Sequence, residues 1–201
     1  MSVMKIGAII LAAGAASRFG RPKQLLELGG EILVDRACRL ATEAGCSPVV
    51  RVLGANADQI QQGSNDDRVV TVVNEKWADG MGGSLARGME ALLAAAPDAD
   101  GVIILLCDQP AVNPSILDTL VASLRRASIV LSDSGESTGP PAAFGRVHFP
   151  ELLALSGDRG AKAIARAHPE SVATIAFPEG RWDIDSEAEW VKFLGSNIPP
   201  V

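Results

Sequence analysis

Short apolar runs alternate along the chain with segments in which apolar residues recur at steps of three and four. The runs cover residues 6–11, 49–53, 69–73 and 102–106. Each has the length of a strand and is apolar at nearly every position, as expected of parallel strands that are buried on both faces. The alternation of such strands with helical segments is a βαβ pattern and predicts an α/β fold.

The segments between the runs carry helical periodicity. Apolar residues from Ile32 to Ala44 predict a helix that ends at Gly45, and residues 85–93 predict a second one. A third helix is expected to start at Asn113 and Pro114, a capping residue followed by a proline at the first helical position. Beyond about residue 129 the segments are shorter and less periodic, so the pattern leaves the strand order there open.

The length, hydrophobic content and net charge of the chain exclude several classes of protein. The chain has 201 residues, 47% of them hydrophobic, and no evident linker, which predicts a single domain over residues 1–201. A net charge of −6 argues against a broad nucleic-acid footprint or an anionic membrane surface. No stretch reaches transmembrane length, and the N-terminal segment lacks the spacing of a secretory signal.

The cysteines and histidines are few and scattered. The three cysteines lack CxxC spacing, and His148 and His168 lie far from each other in the sequence with no evident partner. Neither a disulfide framework nor a structural zinc site is expected, and a reducing cytoplasm is the default location.

The segment IGAIILAAGAASRFGRPKQLL, residues 6–26, carries the strongest chemical signal. Small residues at positions 12–17 let backbone N–H groups approach a polyphosphate, and Arg18 and Lys23 add positive charge in a stretch without acidic residues. The alternative is an ordinary strand-to-helix turn with two solvated cations. The segment is neither a Walker A loop nor a GxGxxG motif.

LAAGAASRFGRPKQLL resembles the signature of the nucleotidyltransferase family that includes molybdenum cofactor cytidylyltransferases and the related guanylyltransferases. The resemblance implies a Rossmann-like three-layer fold of the nucleotide-diphospho-sugar transferase type, with a mixed, mostly parallel sheet. It also implies a Mg²⁺-bound nucleoside triphosphate and release of pyrophosphate. The implied nucleotide-binding residues in this segment are Leu11, Ala12, Ala13, Gly14, Ser17 and Lys23. Because the cytidylyl enzymes usually read LAAG and the guanylyl enzymes LAGG, Ala13 favours CTP.

Asp108 follows the apolar run 102–106 within CDQP. Ligands of an open parallel sheet collect beyond the carboxyl ends of its strands, so Asp108 and the 11–23 segment are expected to face one crevice. A carboxylate there suits Mg²⁺, and CDQP is similar to the family's metal-bearing turn. The alternative is a helix-capping aspartate before Pro110. Cys107 is interpreted as a packing residue.

A second acidic motif, RWDIDSEAEW, places Asp183 and Asp185 two residues apart, so that both side chains point the same way in an extended chain. It is similar to the family's DIDTPED segment, in which one aspartate is the other Mg²⁺ ligand. Asp185 is favoured, followed by Asp183. The alternative is that Asp185 or Ser186 caps the terminal helix.

Three further segments complete the resemblance. DGMGGSLARGM, residues 79–89, is similar to turns that contact the nucleotide through Gly82, Gly83 and Ser84, although a turn that caps the next helix explains it equally well. GPPAAF (139–144) and GDRGAK (157–162) resemble stretches on the acceptor side, with Pro140 where relatives often carry histidine. The cations of GDRGAK are either anion-binding groups or solvated helix charges.

The resemblance implies transfer of CMP from CTP to molybdenum-bound molybdopterin. Arg18 and Lys23 would neutralise the β and γ phosphates, while Mg²⁺ would be held by Asp108 and Asp185. A molybdenum hydroxylase or its chaperone would receive the product. Two alternatives stay open: a transferase that uses GTP or another acceptor such as a sugar phosphate, and a nucleotide-binding delivery protein without catalysis.

Overall fold

The computed structural model describes residues 4–16, 19–64 and 68–196, which contain nine strands. Seven of them form one sheet in the order β5-β4-β1-β6-β8-β7-β9, and β2 pairs with β3 in a small ribbon. In chain order the strands are β1 (Ile6–Ala12), β2 (Glu27–Leu28), β3 (Glu31–Ile32), β4 (Val49–Leu53), β5 (Val69–Val73), β6 (Gly101–Leu106), β7 (Ile129–Asp133), β8 (Thr138–Gly145) and β9 (Val172–Ala176).

Helices cover both faces of the large sheet. They are α1 (Leu33–Glu43), α2 (Ala57–Gly63), α3 (Met81–Ala95), α4 (Pro114–Ser123), α5 (Phe149–Leu153), α6 (Lys162–Ala167) and α7 (Glu187–Leu194). Helices α1, α4 and α7 contribute to the core on one face, and α3, α5 and α6 to the core on the other. The described residues therefore form three layers, as predicted.

The central strand β1 explains the continuous apolar pattern. Ala8 and Ile10 belong to the core on one face, whereas Ile9 and Leu11 belong to the core on the other. Every residue of β1 is buried. Because side chains alternate between the two faces of a strand, only an unbroken apolar run satisfies both layers.

The sheet is mixed because one strand runs against its neighbours. Strand β8 pairs antiparallel with both β6 and β7, while β1, β4, β5 and β6 pair in parallel, as do β7 and β9. This order confirms the mixed, mostly parallel sheet and supplies the arrangement after residue 129 that the sequence pattern left open. GPPAAF forms most of β8 and so lies beside β6.

Helix ends agree with the predicted signals at two of three places. Gly45 follows α1 with a left-handed φ of +79°, and Asn113 Oδ1 accepts a hydrogen bond from the Ile116 amide at the start of α4, at 3.1 Å. The third helix, α3, begins at Met81, so the glycines of GMGGS form its first turn. The helix that the sequence predicts over residues 85–93 therefore begins four residues earlier.

The loops after β1 and β6 leave adjacent strands at their carboxyl ends, since these strands pair in parallel. The amide of Cys107 donates to the carbonyl of Leu11, at 3.3 Å, which joins the two loops where they begin. None of the helices in the described part of the chain is both long and apolar enough to cross a bilayer.

Candidate active site

Lys23 joins two carboxylates at the carboxyl edge of the sheet. Its Nζ lies 2.5 Å from Asp108 Oδ2 and 2.8 Å from Asp185 Oδ1. The Lys23 and Asp108 side chains are only 12% and 17% exposed, whereas Asp185 is 43% exposed. Burial opposes the charge of Lys23, but the two carboxylates outweigh it and raise the pKa of the ammonium. Lys23 is therefore a permanent cation near neutral pH.

Backbone contacts bring these three distant residues together. Asp108 lies just after β6, and its carbonyl accepts a hydrogen bond from the Ile184 amide at 3.0 Å. Ile184 is fully buried, which anchors the irregular segment between Trp182 and Ser186. Asp185 thus lies opposite Lys23, which opens the short 3₁₀ turn Lys23–Leu25.

The N-termini of α4 and α7 show whether Asp108 or Asp185 serves only as a helix cap. Asn113 caps α4, so Asp108 does not. Ser186 caps α7 by accepting from the Glu189 amide, while the Glu189 carboxylate accepts from the Asp185 amide, one residue before the cap. The Asp185 carboxylate contacts Lys23 instead of a helix amide.

Gln24 organises the loop after β1, and the sequence analysis missed it. The side chain is buried, and its Nε2 donates to the carbonyls of Ala12 and Gly14 at 3.0 and 2.8 Å. These bonds hold the small-residue loop beside Lys23. The available signal was a polar residue directly before the apolar pair LL. Ser17 and Arg18 lie outside the described residues.

We expect Gln24→Leu to weaken this loop. The Ala12 carbonyl is buried and would lose its side-chain donor, at a cost of about 1–3 kcal/mol in the free energy of unfolding. A displaced loop should lower kcat/KM for a nucleoside triphosphate about tenfold or more. Thermal melting and steady-state kinetics measure both effects, with Gln61→Leu on the exposed face of α2 as the matched control. Equal effects of the two variants would contradict this role for Gln24.

A cavity of about 360 Å³ surrounds the Lys23 ion pairs. It brings together nine of the predicted site residues: Leu11, Ala12, Ala13, Gly14, Lys23, Ser84, Asp108, Asp183 and Asp185. Trp77 and Met81, which the sequence analysis did not propose, also line it. The predicted shared crevice of the 11–23 segment and Asp108 is therefore present.

Gly82 and Gly83 are not among the residues that line this cavity. The amide of Gly82 donates to the Gly157 carbonyl at 2.8 Å, so this donor is used within the protein. A Cβ atom at Gly82 would lie 2.6 Å from the carbonyl oxygen of Arg159. The structure thus places Gly82 where α3 packs against the 156–159 segment. Ser84, in contrast, reaches the cavity and accepts from Asn74 Nδ2 at 3.0 Å.

Substitution by alanine is expected to affect protein stability differently at Gly82 and at Gly83. Gly82→Ala forces the 156–159 backbone away and should cost about 1–3 kcal/mol of stability. Gly83→Ala meets no atom closer than 3.7 Å and should be neutral or slightly stabilising in the helix. Thermal melting compares the pair. A large rise in KM for triphosphate in Gly83→Ala, with unchanged melting, would instead support the predicted nucleotide contact.

Gln109 positions Asp183. Its Nε2 donates to Asp183 Oδ1 at 2.8 Å and to the Pro140 carbonyl at 3.0 Å. Although Asp183 has an exposed surface, its desolvation by the surrounding protein and the charges of Asp108 and Asp185 raise the pKa of its carboxyl. Asp183 therefore sits beside the main ion pairs without taking part in them.

A second cavity of about 480 Å³ adjoins the first and shares Leu11, Met81, Leu106 and Asp183 with it. Both predicted acceptor segments line it, GPPAAF from β8 and GDRGAK from the loop before α6. The cations Arg159, Lys162 and Arg166 are exposed around this space. The position of Pro140 offers no side-chain hydrogen bond.

The acidic residues have the chemistry of a site for a hard divalent cation. Asp108 Oδ1 is buried and has no hydrogen-bond partner among the described residues, although its other oxygen contacts Lys23. Asp183 and Asp185 line the same cavity. Carboxylate oxygens are the ligands that Mg²⁺ and Mn²⁺ prefer, so these residues fit such an ion.

Comparison with known proteins identifies the family. The family model of the MobA-like NTP transferase domain matches residues 8–172. Nicotine blue oxidoreductase of Paenarthrobacter nicotinovorans is 34% identical over 177 residues, 83% of this chain and 84% of that protein. Purine catabolism protein PucB of Bacillus subtilis is 30% identical over 189 residues, 88% of each chain. A probable molybdenum cofactor guanylyltransferase of Opitutus terrae is 28% identical over 90% of this chain and 88% of its own.

Solved structures agree. Rv0371c of Mycobacterium tuberculosis H37Rv superposes with a TM-score of 0.79 at 27% identity, covering 96% of this chain and 100% of that one. The same protein has been solved in complex with manganese. The likeness confirms the nucleotide-diphospho-sugar transferase type of fold. Since the family model covers most of the chain, and two relatives reach at least 30% identity over more than four fifths of both proteins, this protein belongs to the family of MobA-like NTP transferases.

Proposed function

We propose that this protein transfers CMP from CTP to a terminal phosphate of a molybdenum-bound molybdopterin-type acceptor and releases pyrophosphate. The observation that carries the proposal is the position of Lys23 between Asp108 and Asp185, beside the small-residue loop after β1. A cation, a loop of small residues and carboxylates that suit a metal ion, all in one cavity, are the groups that a nucleoside triphosphate requires. The adjoining cavity, which Arg159, Lys162 and Arg166 line together with two aspartates, offers space for a phosphate-bearing acceptor.

The reaction is an in-line displacement. An oxygen of the acceptor phosphate forms a bond to the α-phosphorus of CTP, and the bond from that phosphorus to the β-phosphate oxygen breaks as pyrophosphate leaves. A phosphate nucleophile is already ionised at neutral pH, so no enzyme base is required. The protein positions the reactants and stabilises charge on the leaving group through Lys23 and through Arg18, whose role stays a prediction from the sequence.

We propose Mg²⁺ as the metal, held by Asp108 and Asp185 with Asp183 nearby. When bound, the ion would neutralise phosphate charge. Asp108 Oδ1, which has no hydrogen-bond partner in the described part of the chain, and the manganese complex of the Mycobacterium tuberculosis protein support a divalent cation here. Lys23, which contacts both Asp108 and Asp185, would neutralise phosphate charge alongside such an ion.

The acceptor side rests on the second cavity. Arg159, Lys162 and Arg166 supply positive charge for an anionic acceptor, and Gln109 links this cavity to Asp183. The relative named as a probable molybdenum cofactor guanylyltransferase supports a molybdopterin-type acceptor. Ala13 supports CTP over GTP. A molybdenum hydroxylase or its chaperone would take the product, in the cytoplasm.

Divalent-metal-dependent pyrophosphate release tests the proposal, measured with CTP, GTP and ATP, each with and without molybdenum-loaded molybdopterin. Release with CTP plus the pterin alone is the expected result. Release with GTP but not CTP would mean that GTP is the nucleotide substrate. Release with a sugar phosphate in place of the pterin would mean that the acceptor is a sugar phosphate. Triphosphate binding without release would favour a delivery protein.

A redox activity is the competing class, because the 34% identical relative is named an oxidoreductase. The same protein sample should be tested for oxidation of reduced nicotinamide nucleotides and for the visible absorption of a bound flavin. Redox turnover without pyrophosphate release from any triphosphate would overturn the nucleotidyltransferase proposal.

A further inference from the structure

Two histidines and a glutamate that are distant from the candidate active site in sequence come together beside α5 and α6. His148 precedes α5, Glu151 lies within it, and His168 follows α6. Glu151 Oε1 lies 2.9 Å from His168 Nε2 and 3.3 Å from His148 Nδ1. One ligand atom from each residue lies within 4.8 Å of the other two. The sequence analysis assigned no partner to either histidine.

The spacing of these atoms suits a transition metal. Bonds of about 2.0–2.1 Å in a tetrahedral arrangement separate neighbouring ligand atoms by about 3.3 Å. The two observed contacts to Glu151 are 2.9 and 3.3 Å, so modest side-chain rotation accommodates an ion. The imidazole rings have centroids 5.0 Å apart and planes inclined at 55°, which is compatible with both rings binding one ion.

Neighbouring groups orient the ligands. His148 is buried, and its Nε2 lies 2.9 Å from Ser128 Oγ, a contact that holds the ring with Nδ1 towards Glu151. Glu170, at 3.9 Å from His168 Nδ1 and 72% exposed, is too far away for a hydrogen bond that would orient the ring. Hydrogen bonds from His168 and His148 hold the pKa of the Glu151 carboxyl below its ordinary value. Side chains of Glu151 and His168 are 40% and 35% exposed, which leaves solvent access for a water ligand.

We propose that His148, Glu151 and His168 form a binding site for a late first-row divalent metal ion, with Zn²⁺ as the best fit. Two imidazole nitrogens, one carboxylate oxygen and a water make a ligand set typical of zinc. This set differs in chemistry from the all-oxygen site at Asp108 and Asp185, which suits a harder ion. The site is independent of the proposed transfer reaction.

The position of the site gives it a structural consequence. The chain between Glu151 and His168 contains the 156–159 segment, which packs on Gly82 of α3, and the cations that line the second cavity. Because the three ligands come together only in the folded protein, a bound metal adds its binding free energy to the stability of this stretch of chain. The ion would therefore stabilise the wall of the second cavity.

Co²⁺ titration of the metal-free, full-length protein tests the site, because Co²⁺ replaces Zn²⁺ and absorbs visible light when its coordination number is low. We expect visible absorption that Zn²⁺ removes by competition. His168→Gln should abolish the absorption and weaken binding at least tenfold, as should Glu151→Gln. Glu170→Gln, which changes an exposed non-ligand beside His168, and Asp108→Asn, which alters the oxygen site, should both retain it.

Melting temperature supplies a second readout. Zn²⁺ at about one hundred times its dissociation constant should raise the melting temperature by roughly 5 °C in the parent protein and Glu170→Gln, but not in His168→Gln. Absence of Co²⁺ absorption in the parent protein, or equal Co²⁺ affinity in His168→Gln, would overturn the proposal. Because neither readout uses CTP or pyrophosphate, failure here leaves the proposed transferase activity untouched.

Discussion

Lys23→Ala is expected to lower kcat/KM for pyrophosphate release by about 10²- to 10³-fold while the protein remains folded. The Lys23 ammonium lies between Asp108 and Asp185, in the cavity that the loop after β1 also lines. Removing it takes away preorganised charge beside the leaving phosphates. The two carboxylates face a cavity of about 360 Å³, so water or a bound cation can solvate them after the substitution.

The metal dependence of the reaction distinguishes loss of the Lys23 charge from disruption of the whole site. Without Lys23 the carboxylates lose their competing cation, so the concentration of Mg²⁺ or Mn²⁺ required for half-maximal activity should stay the same or fall. Lys192→Ala, an exposed lysine on α7, is the matched control and should behave like the parent protein. Unchanged turnover in Lys23→Ala, or loss of its far-UV circular dichroism signal, would refute the assigned role.

Asp108→Asn is expected to have a comparable effect on turnover, at least about 10²-fold, with the opposite effect on the metal. The substitution keeps the shape of the side chain but removes its negative charge and replaces one oxygen by an amide nitrogen, at a position where Oδ1 is buried and has no hydrogen-bond partner among the described residues. An amide offers one neutral oxygen ligand, so the half-maximal metal concentration should rise about tenfold or more. Isothermal titration with Mn²⁺ and metal-dependent kinetics measure this rise.

The control for Asp108→Asn is Asp118→Asn on the exposed face of α4, which removes the same charge outside the cavity. It should match the parent protein in turnover, metal dependence and melting temperature. If Asp108→Asn lost activity without any change in metal affinity, Asp108 would act only by positioning Lys23, and the metal would have to be assigned to Asp183 and Asp185.

Much of the fold followed from local pattern. Strands β1, β4 and β6 were predicted because parallel strands covered on both faces are apolar at nearly every position, as Ile9 and Ile10 show by facing opposite cores. Strand β5 was predicted from the same pattern but lies at the edge of the sheet, where Val70 and Val73 are exposed. The start of α4 was predicted because Asn113 and Pro114 act within one turn of helix. Strand order beyond residue 129 was not predicted, since pairing of β8 with β6 depends on contacts between distant residues.

In the candidate site, too, some features could be predicted from the sequence and others could not. The 11–23 segment and Asp108 could be assigned to one crevice because the carboxyl ends of adjacent parallel strands meet at one edge of the sheet. The contact of Lys23 with Asp185 could not be predicted, because it depends on the path of an irregular segment that Ile184 anchors. Gly82 shows the reverse case, in which a motif resembling a nucleotide contact packs against the 156–159 backbone.

Residue order alone was enough to establish the alternation of strands and helices and the family resemblance, and to predict an anion-binding loop after β1, since these depend on residues close together in the chain. Three contacts became evident only in the folded protein: Gln24 holds this loop, Lys23 joins two carboxylates, and His148 and His168 share Glu151. Each of these contacts depends on side-chain direction and on packing between separate elements, which residue order along the chain does not specify.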